Sequence, residues 1–265
     1  MAELDDWICE YNGLVMGAPD SAISLAAVDG LLSLPDMRTA DLTLVQRHGL
    51  YPGDDYMNGR SVTLTLEVYG RTREEFTEAL SAIYAAFAPA ERESPLRFHF
   101  PGVAGDRTAF VNVRPRKRTA PLDLNFAHRV CNVVVEVFAT DPHIYGDALV
   151  SLNLSSPWAG SDPKLRFRQV GSVPALPVIK LDGAKNIKLT DEISGHFFGL
   201  AYDGNVTIDS AAQTAISDTG THIEDRITPG STWPEYAFGD HRLSLYSEAT
   251  TRATVATFTW RNRWV

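Results

Sequence analysis

Alternating apolar and polar residues run through the first half of the chain and predict β-strands. In Ser61–Val68 every second residue is apolar, the pattern of a strand with one packed face and one face in water. Val130–Phe138 is the longest such run, and its second face carries Val134 and Phe138 beside polar residues. We therefore expect both of its faces to be partly covered. Shorter strands are predicted at Leu96–Phe100 and Phe110–Val113.

One segment of the first half has the periodicity of a helix. Thr72 stands three residues before Glu75, the spacing of a capping box at a helix start. The apolar residues that follow form one stripe at helical spacing: Phe76, Leu80, Ile83, Tyr84 and Phe87. Pro89 ends the helix, because proline lacks the amide donor and clashes with the preceding turn. The first half is therefore predicted to be a β-barrel or sheet domain with one α-helix packed on it.

The second half shows short strands separated by turn residues. Strands are predicted at Leu149–Leu154, Val178–Leu181, Ile187–Leu189, Val206–Ile208, Leu243–Tyr246 and Val255–Trp260. The turn signals are Asp182-Gly183, Asp203-Gly204-Asn205, Thr228-Pro229-Gly230 and Gly239-Asp240. Strands at this spacing favour a β-sandwich or jelly roll. The change in pattern falls near Asp141–Asp147, so we predict a mainly β fold with two domains, residues 1–146 and 147–265.

Composition and charge narrow the classes of function. Of the 265 residues, 44% are hydrophobic and 22% are charged, as in ordinary soluble domains. Twenty-four basic residues against 33 acidic ones give a net charge of -9, so the general attraction to phosphate backbones is missing and no sequence-specific nucleic acid is expected as a partner. Cys9 and Cys131 lie in apolar stretches and are expected to be reduced structural residues.

Targeting signals and catalytic motifs are not found in the sequence. An acidic N-terminus and the lack of an apolar run of about 18 residues predict no signal peptide, folding in a cytoplasm and no membrane insertion. The serine-hydrolase elbow, the phosphate-binding loop and the His-Glu-x-x-His zinc pair are absent, and the seven histidines are scattered. The doublets Asp5-Asp6 and Asp54-Asp55 are interpreted as solvated. We predict no enzyme activity, no catalytic or metal-binding residue and no cofactor.

A basic run stands out on this acidic chain. Arg114, Arg116, Lys117 and Arg118 lie in five consecutive residues, and no acidic residue occurs between Asp106 and Asp123. We interpret the run as a loop between two strands that contacts acidic residues of a neighbouring subunit. A solvated loop and a contact with nucleic acid or another anion stay open as alternatives.

Most of the tryptophans lie in the second half of the chain. Trp260 shares a strand with Ala256 and Phe258 and is predicted to be a core residue. Trp158 and Trp233 are candidates for carbohydrate contact, because an exposed tryptophan on a sandwich can stack on a sugar ring. The alternative is that they fill the core or a subunit interface.

The order of these segments resembles a known family. The segments that carry the resemblance are Glu10–Leu14, Asn58–Arg60 leading into Ser61–Val68, the helix, Leu96–Phe100, Val111–Arg114 and Val137–Gly146, in which Asp141-Pro142 precedes Tyr145. This order is similar to the N-terminal domain of the distal tail proteins of long-tailed phages (siphophages). Pro174–Gly183 resembles the start of the galectin-like domain that commonly follows in that family.

The resemblance implies a structural protein of the virion, located at the distal end of the tail and assembled in the host cytoplasm. Distal tail proteins form a homo-hexameric ring that joins the tail tube protein to the tail-tip or baseplate hub. The N-terminal domain builds the ring and lines the DNA channel, and tape-measure and receptor-binding proteins are further partners. The galectin-like domain projects outward. An alternative function is host adsorption through binding of host carbohydrate by the C-terminal sandwich, and a tail-associated hydrolase is a third reading.

Overall fold

Strands form most of the regular structure in the computed structural model, which describes residues 3–158, 163–250 and 252–265. These residues group into two compact units, one ending at Asp147 and the other running from Ala148 to Trp264. The mainly β fold class is confirmed.

The N-terminal unit is an antiparallel sheet with a helix on it. Its elements are β1 (Ile8–Tyr11), β2 (Leu14–Met16), β3 (Ile23–Asp29), β4 (Met37–Arg38), β5 (Leu42–Thr43), β6 (Leu50–Tyr51), β7 (Tyr56–Met57), β8 (Arg60–Tyr69), α1 (Arg73–Ala86), β9 (Ser94–His99), β10 (Ala109–Thr119), α2 (Leu124–Ala127), β11 (Val130–Ala139) and β12 (Ile144–Gly146). The main path of the sheet runs β2-β1-β9-β10-β11-β8-β3. The four strands predicted in this half are all present, and β10 is longer than predicted.

Local sequence explains the first turn and the helix. Asn12 and Gly13 join β1 to β2 with positive φ angles of 46° and 83°, as a tight two-residue hairpin turn requires. The Thr72 hydroxyl accepts a hydrogen bond from the Glu75 amide at 3.2 Å, so the predicted helix start is confirmed. Of the predicted apolar stripe only Tyr84 is exposed, at 41%, which corrects its assignment to the packed face.

Alternate residues of the central strands form the core of this unit. On β8 the side chains of Val62, Leu64, Leu66 and Val68 are fully buried, and the alternate residues of β11 from Cys131 to Ala139 are buried as well. Both cysteines are buried free thiols, as predicted. The second face of β11 is partly covered, as predicted: Glu136 and Phe138 are half-buried, and Val134 is 38% exposed.

The C-terminal unit contains the longest strands of the chain. Its elements are β13 (Val150–Ser156), β14 (Lys164–Gln169), β15 (Val178–Asp191), β16 (Phe197–Asp209), β17 (Thr214–Ser217), a one-turn 3-10 helix (Glu224–Arg226), β18 (Gly239–Tyr246), β19 (Thr254–Trp260) and β20 (Arg263–Trp264). The first part of β15 pairs with β19 and its last part with β18. The β15–β16 hairpin therefore links two groups of strands, β13-β19 and β14-β18, that enclose one apolar core.

Three predicted turns in this unit are wrong. Asp182-Gly183 and Asp203-Gly204-Asn205 lie inside β15 and β16, where the pairing of the two strands shifts register. Gly183 has a φ of +69°, so this glycine serves a bulge, which bends a strand without ending it. Gly239-Asp240 begins β18, whereas Pro229-Gly230 does form the predicted turn. Trp260 is 4% exposed, which confirms it as a core residue.

An arm leaves the N-terminal sheet between β3 and β8. We use this name for residues 32–57, in which β4 pairs with β7 and β5 pairs with β6. These two short ladders follow one another along a single hairpin, and almost every residue in it is exposed. The sequence patterns above did not predict this element.

The base of the arm is held by a buried arginine. Arg60 is 1% exposed, and its Nη1 donates hydrogen bonds to the carbonyl oxygens of Gly30, Leu31 and Ser33 at 2.5, 3.0 and 2.8 Å. Its Nε donates to the carbonyl oxygen of Pro142 at 2.8 Å. Burial lowers the pKa of this guanidinium. Backbone carbonyls therefore satisfy Nε and Nη1 of this buried cation, whereas Nη2 is buried without a hydrogen-bond partner among the described residues. The bonds from Nη1 fix the point from which the arm projects.

Candidate interaction surfaces

The basic run lies on a strand, which corrects its prediction as a loop. Arg114 and Lys117 are residues of β10 and pair with Phe138 and Glu136 of β11. The register shifts between Pro115 and Lys117, so the proline occupies a bulge, one of the few places in a sheet that tolerate a residue without an amide donor. The strand therefore continues past a residue that normally marks its end.

The side chains of the run lie along the surface next to aromatic rings. The guanidinium of Arg116 lies 5.1 Å from the ring centroid of Phe138, and that of Arg118 lies 4.2 Å from the ring centroid of Tyr84. Arg118 also donates to the carbonyl oxygen of Tyr84 at 3.1 Å. Arg114 is half-buried and Lys117 is exposed. Within the described residues these four cations have no carboxylate oxygen within 4.0 Å, so their charge is available to another molecule.

A groove lies between α1 and α2, next to the basic run. We call it the helical groove and define it by four aromatic or apolar residues and two arginines: Phe76, Leu80, Tyr84, Phe126, Arg73 and Arg129. Its volume is about 470 Å³, within the range of pockets that receive ligands or side chains. Because Tyr84 also stacks under Arg118, the groove and the basic run form one continuous surface.

The arm exposes apolar side chains that the sequence reasoning missed. Large apolar residues at least 36% exposed are Leu32, Leu34, Met37, Leu42, Leu44, Val45, Leu50, Tyr51 and Tyr56. A cluster of this kind on a soluble domain normally marks a contact surface. The sequence signal for this surface was a segment rich in apolar residues whose spacing has neither the period of a helix nor that of a strand. The doublet Asp54-Asp55, predicted to be solvated, lies in this segment, and both residues are exposed.

The two tryptophans proposed for carbohydrate contact differ in their surroundings. Trp158 follows β13 and is 65% exposed. Trp233 is half-buried, with its ring centroid 5.3 Å from that of Phe198, and it lines a small cleft with His196 and Glu235. The volume of this cleft is about 30 Å³, which is room for one or two water molecules and too small to enclose a sugar ring.

The buried histidine–aspartate pair of the C-terminal unit has the geometry of a structural contact. His241 and Asp191 are both buried, with Nδ1 and Oδ2 2.7 Å apart. The other ring nitrogen of His241 lies 2.8 Å from the carbonyl oxygen of Ala237, so neither nitrogen is available to a substrate. Burial raises the pKa of Asp191, but the interactions with His241 and the hydrogen bonds from the Ile193 and Arg242 amides together outweigh it, and the net pKa is lowered.

Metal-binding groups and membrane-spanning helices are not found in the part of the chain that the structure describes. The described His, Cys, Asp and Glu side chains do not form a group of three that could hold a metal ion. None of the described helices has the length and apolar content needed to cross a membrane.

Comparison with solved structures gives the fold. A crystal structure of the Dit protein of phage SPP1 superposes on the chain with a TM-score of 0.66 over 96% of this chain and 98% of that one. The chain has the fold of a phage distal tail protein. Two structures of the phage P2 baseplate in its activated conformation, with Ca and with Sr, match at TM-scores of 0.46 and 0.47 and 8% identity. No family model and no curated protein matches the chain.

The similarity to SPP1 Dit extends through both units of the chain. The sequence identity is 14%, so the similarity shows a shared fold. The order of strands and helix that carries the resemblance in the sequence is thus explained by a common architecture.

Proposed function

We propose that the protein is a structural component of the tail tip of a long-tailed phage. The observation that carries the proposal is the match of almost the whole chain to SPP1 Dit, a protein described as a paradigm of the hub adsorption apparatus in phages that infect Gram-positive bacteria. A match over both units favours the role of the complete distal tail protein over that of an isolated binding module. The protein then belongs to the distal end of the tail in the virion.

In this role the chain forms a homo-hexameric ring that joins the tail tube to the tail-tip hub. Residues 1–146 build the ring and line the DNA channel, and residues 147–265 form a galectin-like domain that projects outward. The tape-measure and receptor-binding proteins are neighbours in the same assembly. Arg114, Arg116, Lys117 and Arg118 contribute to the subunit interface, because three of them are exposed and none has a carboxylate partner among the described residues.

Charge reversal on β10 tests the ring and its interface. Arg116→Glu with Lys117→Glu should prevent ring formation, as measured by light scattering and negative-stain electron microscopy of the purified full chain. The matched control is Arg92→Glu with Arg107→Glu, two exposed arginines of the same unit, which should leave the mass unchanged. Rings that form equally well from both double variants would remove the basic run from the interface. A wild-type chain that makes no sixfold ring, even with tail-tube protein added, would contradict the ring itself.

Carbohydrate binding by the C-terminal unit is a second candidate function. The observation in its favour is Trp158, which is 65% exposed, whereas Trp233 lines a cleft too small for a sugar ring. A glycan array probed with the full chain should give signals that Trp158→Ala abolishes, while Trp233→Ala distinguishes whether the half-buried tryptophan contributes. If the array gives no signal, only the structural role at the tail tip remains.

We propose no enzymatic role for the chain. The support is the structural nature of the protein it matches and the engagement of both ring nitrogens of His241 within the fold. Release of soluble fragments from host cell walls by the purified protein would contradict this and reinstate the hydrolase reading.

A further inference from the structure

A larger cleft lies along β16 in the C-terminal unit. We call it the β16 cleft and define it by two residues of β16 and four of the segment after β17: Tyr202, Asp203, Thr219, Thr221, His222 and Arg226. Its volume is about 530 Å³, against about 30 Å³ for the cleft that Trp233 lines. A pocket of this size can receive a small ligand.

Backbone pairing holds both sides of the β16 cleft in place. Before the cleft segment, Ser217 of β17 pairs with Val206 of β16. After it, Ile227 forms an antiparallel bridge with Leu200 of the same strand. The segment is therefore fixed to β16 at both ends, so the cleft is formed before a ligand binds.

The ring of Tyr202 supplies an aromatic surface in the cleft. A Cβ atom on Gly204 would lie 2.7 Å from Cε1 and 3.3 Å from Cζ of Tyr202, so the ring lies against the backbone of Gly204. Glycine inside a strand often marks a close approach of this kind. Tyr202 is half-buried and lines the cleft, so its ring is already held in position for a ligand.

Polar groups of the cleft are also held in position. The hydroxyl oxygens of Ser217, Thr219 and Thr221 form a chain with successive distances of 2.8 and 3.2 Å. Nδ1 of His222 lies 3.0 Å from Oε1 of Glu224, and hydrogen bonding, above all from His222, lowers the pKa of Glu224 to about 2. A neutral His222 therefore donates from Nδ1 and keeps Nε2 as an acceptor, on a side chain that is 63% exposed.

The charged side chains of the cleft are paired within the chain. One carboxylate oxygen of Asp203 lies 3.4 Å from Nη2 of Arg252, and the other lies 3.7 Å from Nζ of Lys185. Nε of Arg226 lies 3.2 Å from Oδ2 of Asp225, which also lines the cleft. An ionic ligand would have to compete with these pairs, whereas a neutral ligand would not. The cleft therefore suits a neutral molecule that has hydroxyl groups and an apolar face.

We propose that the β16 cleft binds one neutral sugar unit of a surface glycan, with the sugar ring stacked on Tyr202. A sugar ring has an apolar face of C–H groups and a rim of hydroxyls. Tyr202 contacts the apolar face, while Thr221 and His222 exchange hydrogen bonds with the hydroxyls. This inference rests on carbohydrate binding as the second candidate function and locates its site, for which Trp158 is the competing position.

Saturation-transfer NMR on the full chain tests this site. The probes are the methyl glycosides of glucose, galactose, mannose and N-acetylglucosamine, each of which stands for one neutral unit of a glycan. The wild-type chain should bind at least one of them, and Tyr202→Ala should weaken that binding about tenfold, equivalent to about 1.4 kcal/mol. Thr221→Val replaces a hydroxyl with a methyl group and should weaken it as well. Tyr202→Phe keeps the ring and should bind like the wild type.

Two further variants separate the cleft from other contacts. Tyr246→Ala, at an exposed tyrosine of β18 outside the lining of the cleft, is the control and should leave binding unchanged. Binding that is kept in Tyr202→Ala and lost in Trp158→Ala would overturn the cleft and leave carbohydrate binding at Trp158. A wild-type chain that binds none of the probes would overturn both the cleft and the carbohydrate function, while the structural role at the tail tip would stand.

Discussion

Replacing Arg60 with methionine should destabilise the N-terminal unit by about 2–6 kcal/mol. The arginine is 1% exposed and donates to four backbone carbonyls. Two of these hydrogen bonds, to Leu31 and Pro142, are fully buried, so water cannot replace the donor. Each buried acceptor left without a partner costs roughly 1–3 kcal/mol, and two of them give the range. The carbonyls of Gly30 and Ser33 are partly exposed and can be rehydrated.

Cys9 and Cys131 provide a measurement that reports on this unit alone. Burial raises the pKa of both thiols, and both should react with a thiol reagent only when the N-terminal unit unfolds. Pulse labelling of the full chain along a urea series therefore gives the unfolding midpoint of this unit. The free energy of unfolding falls by roughly 1–3 kcal/mol per M of urea. Even a destabilisation of about 2 kcal/mol with the steepest of these slopes lowers the urea midpoint by about 0.7 M. Arg107→Met, at an exposed arginine, is the matched control and should shift it far less.

An unchanged urea midpoint in Arg60→Met would also have a physical explanation. Methionine removes the cost of burying a guanidinium, and apolar replacements of buried charges are sometimes neutral or stabilising. If Arg60→Met and Arg107→Met unfold at the same urea concentration, the desolvation of Arg60 cancels its hydrogen bonds. The reasoning that the arginine stabilises the base of the arm would then be refuted.

Two further predictions concern acid stability and backbone packing. Burial raises the pKa of Asp141, but hydrogen bonds from His143 and Tyr145 outweigh it and lower the pKa from 3.8 to about 2. The stability that this carboxylate contributes is present above about pH 4 and is lost as pH falls towards 2. In Asp141→Asn the melting temperature should therefore fall less between pH 4 and pH 2 than in the wild type. An equal fall in both proteins would contradict a lowered pKa of Asp141. Gly59→Ala would place a Cβ 2.5 Å from the carbonyl oxygen of Ala139 and should lower the urea midpoint of the N-terminal unit, and an unchanged midpoint would show that the backbone adjusts freely.

Strands and the helix could be predicted because their signals are local. The alternation in Ser61–Val68 predicts a strand with one buried face, whatever the strand packs against. The capping residues Thr72 and Glu75 likewise predict a helix start without reference to the rest of the fold. Both predictions are confirmed to within one or two residues. The order of such elements was enough for the fold class because each element type was correct.

Turn residues gave wrong predictions where a strand bends without ending. Gly183 and Gly204 lie inside long strands, and Pro115 lies inside β10. A glycine with positive φ, or a proline, satisfies the backbone of a bulge as well as that of a turn. The difference depends on whether a partner strand continues alongside, which is a long-range property that local sequence does not encode.

The arm shows why surface function was the hardest part to predict. Its apolar side chains have no periodicity, because they pack on no core within the chain, and the periodicity of apolar residues is a record of core packing. What fixes the arm is Arg60, a residue that sequence reasoning treats as the start of a strand. A buried guanidinium held by carbonyls costs desolvation energy that a simple surface loop would not require. The hydrogen bonds of Arg60 constrain the direction in which the exposed apolar hairpin leaves the sheet. This long-range contact, between a strand end and the carbonyls of a distant loop, is what the local pattern of apolar residues does not encode.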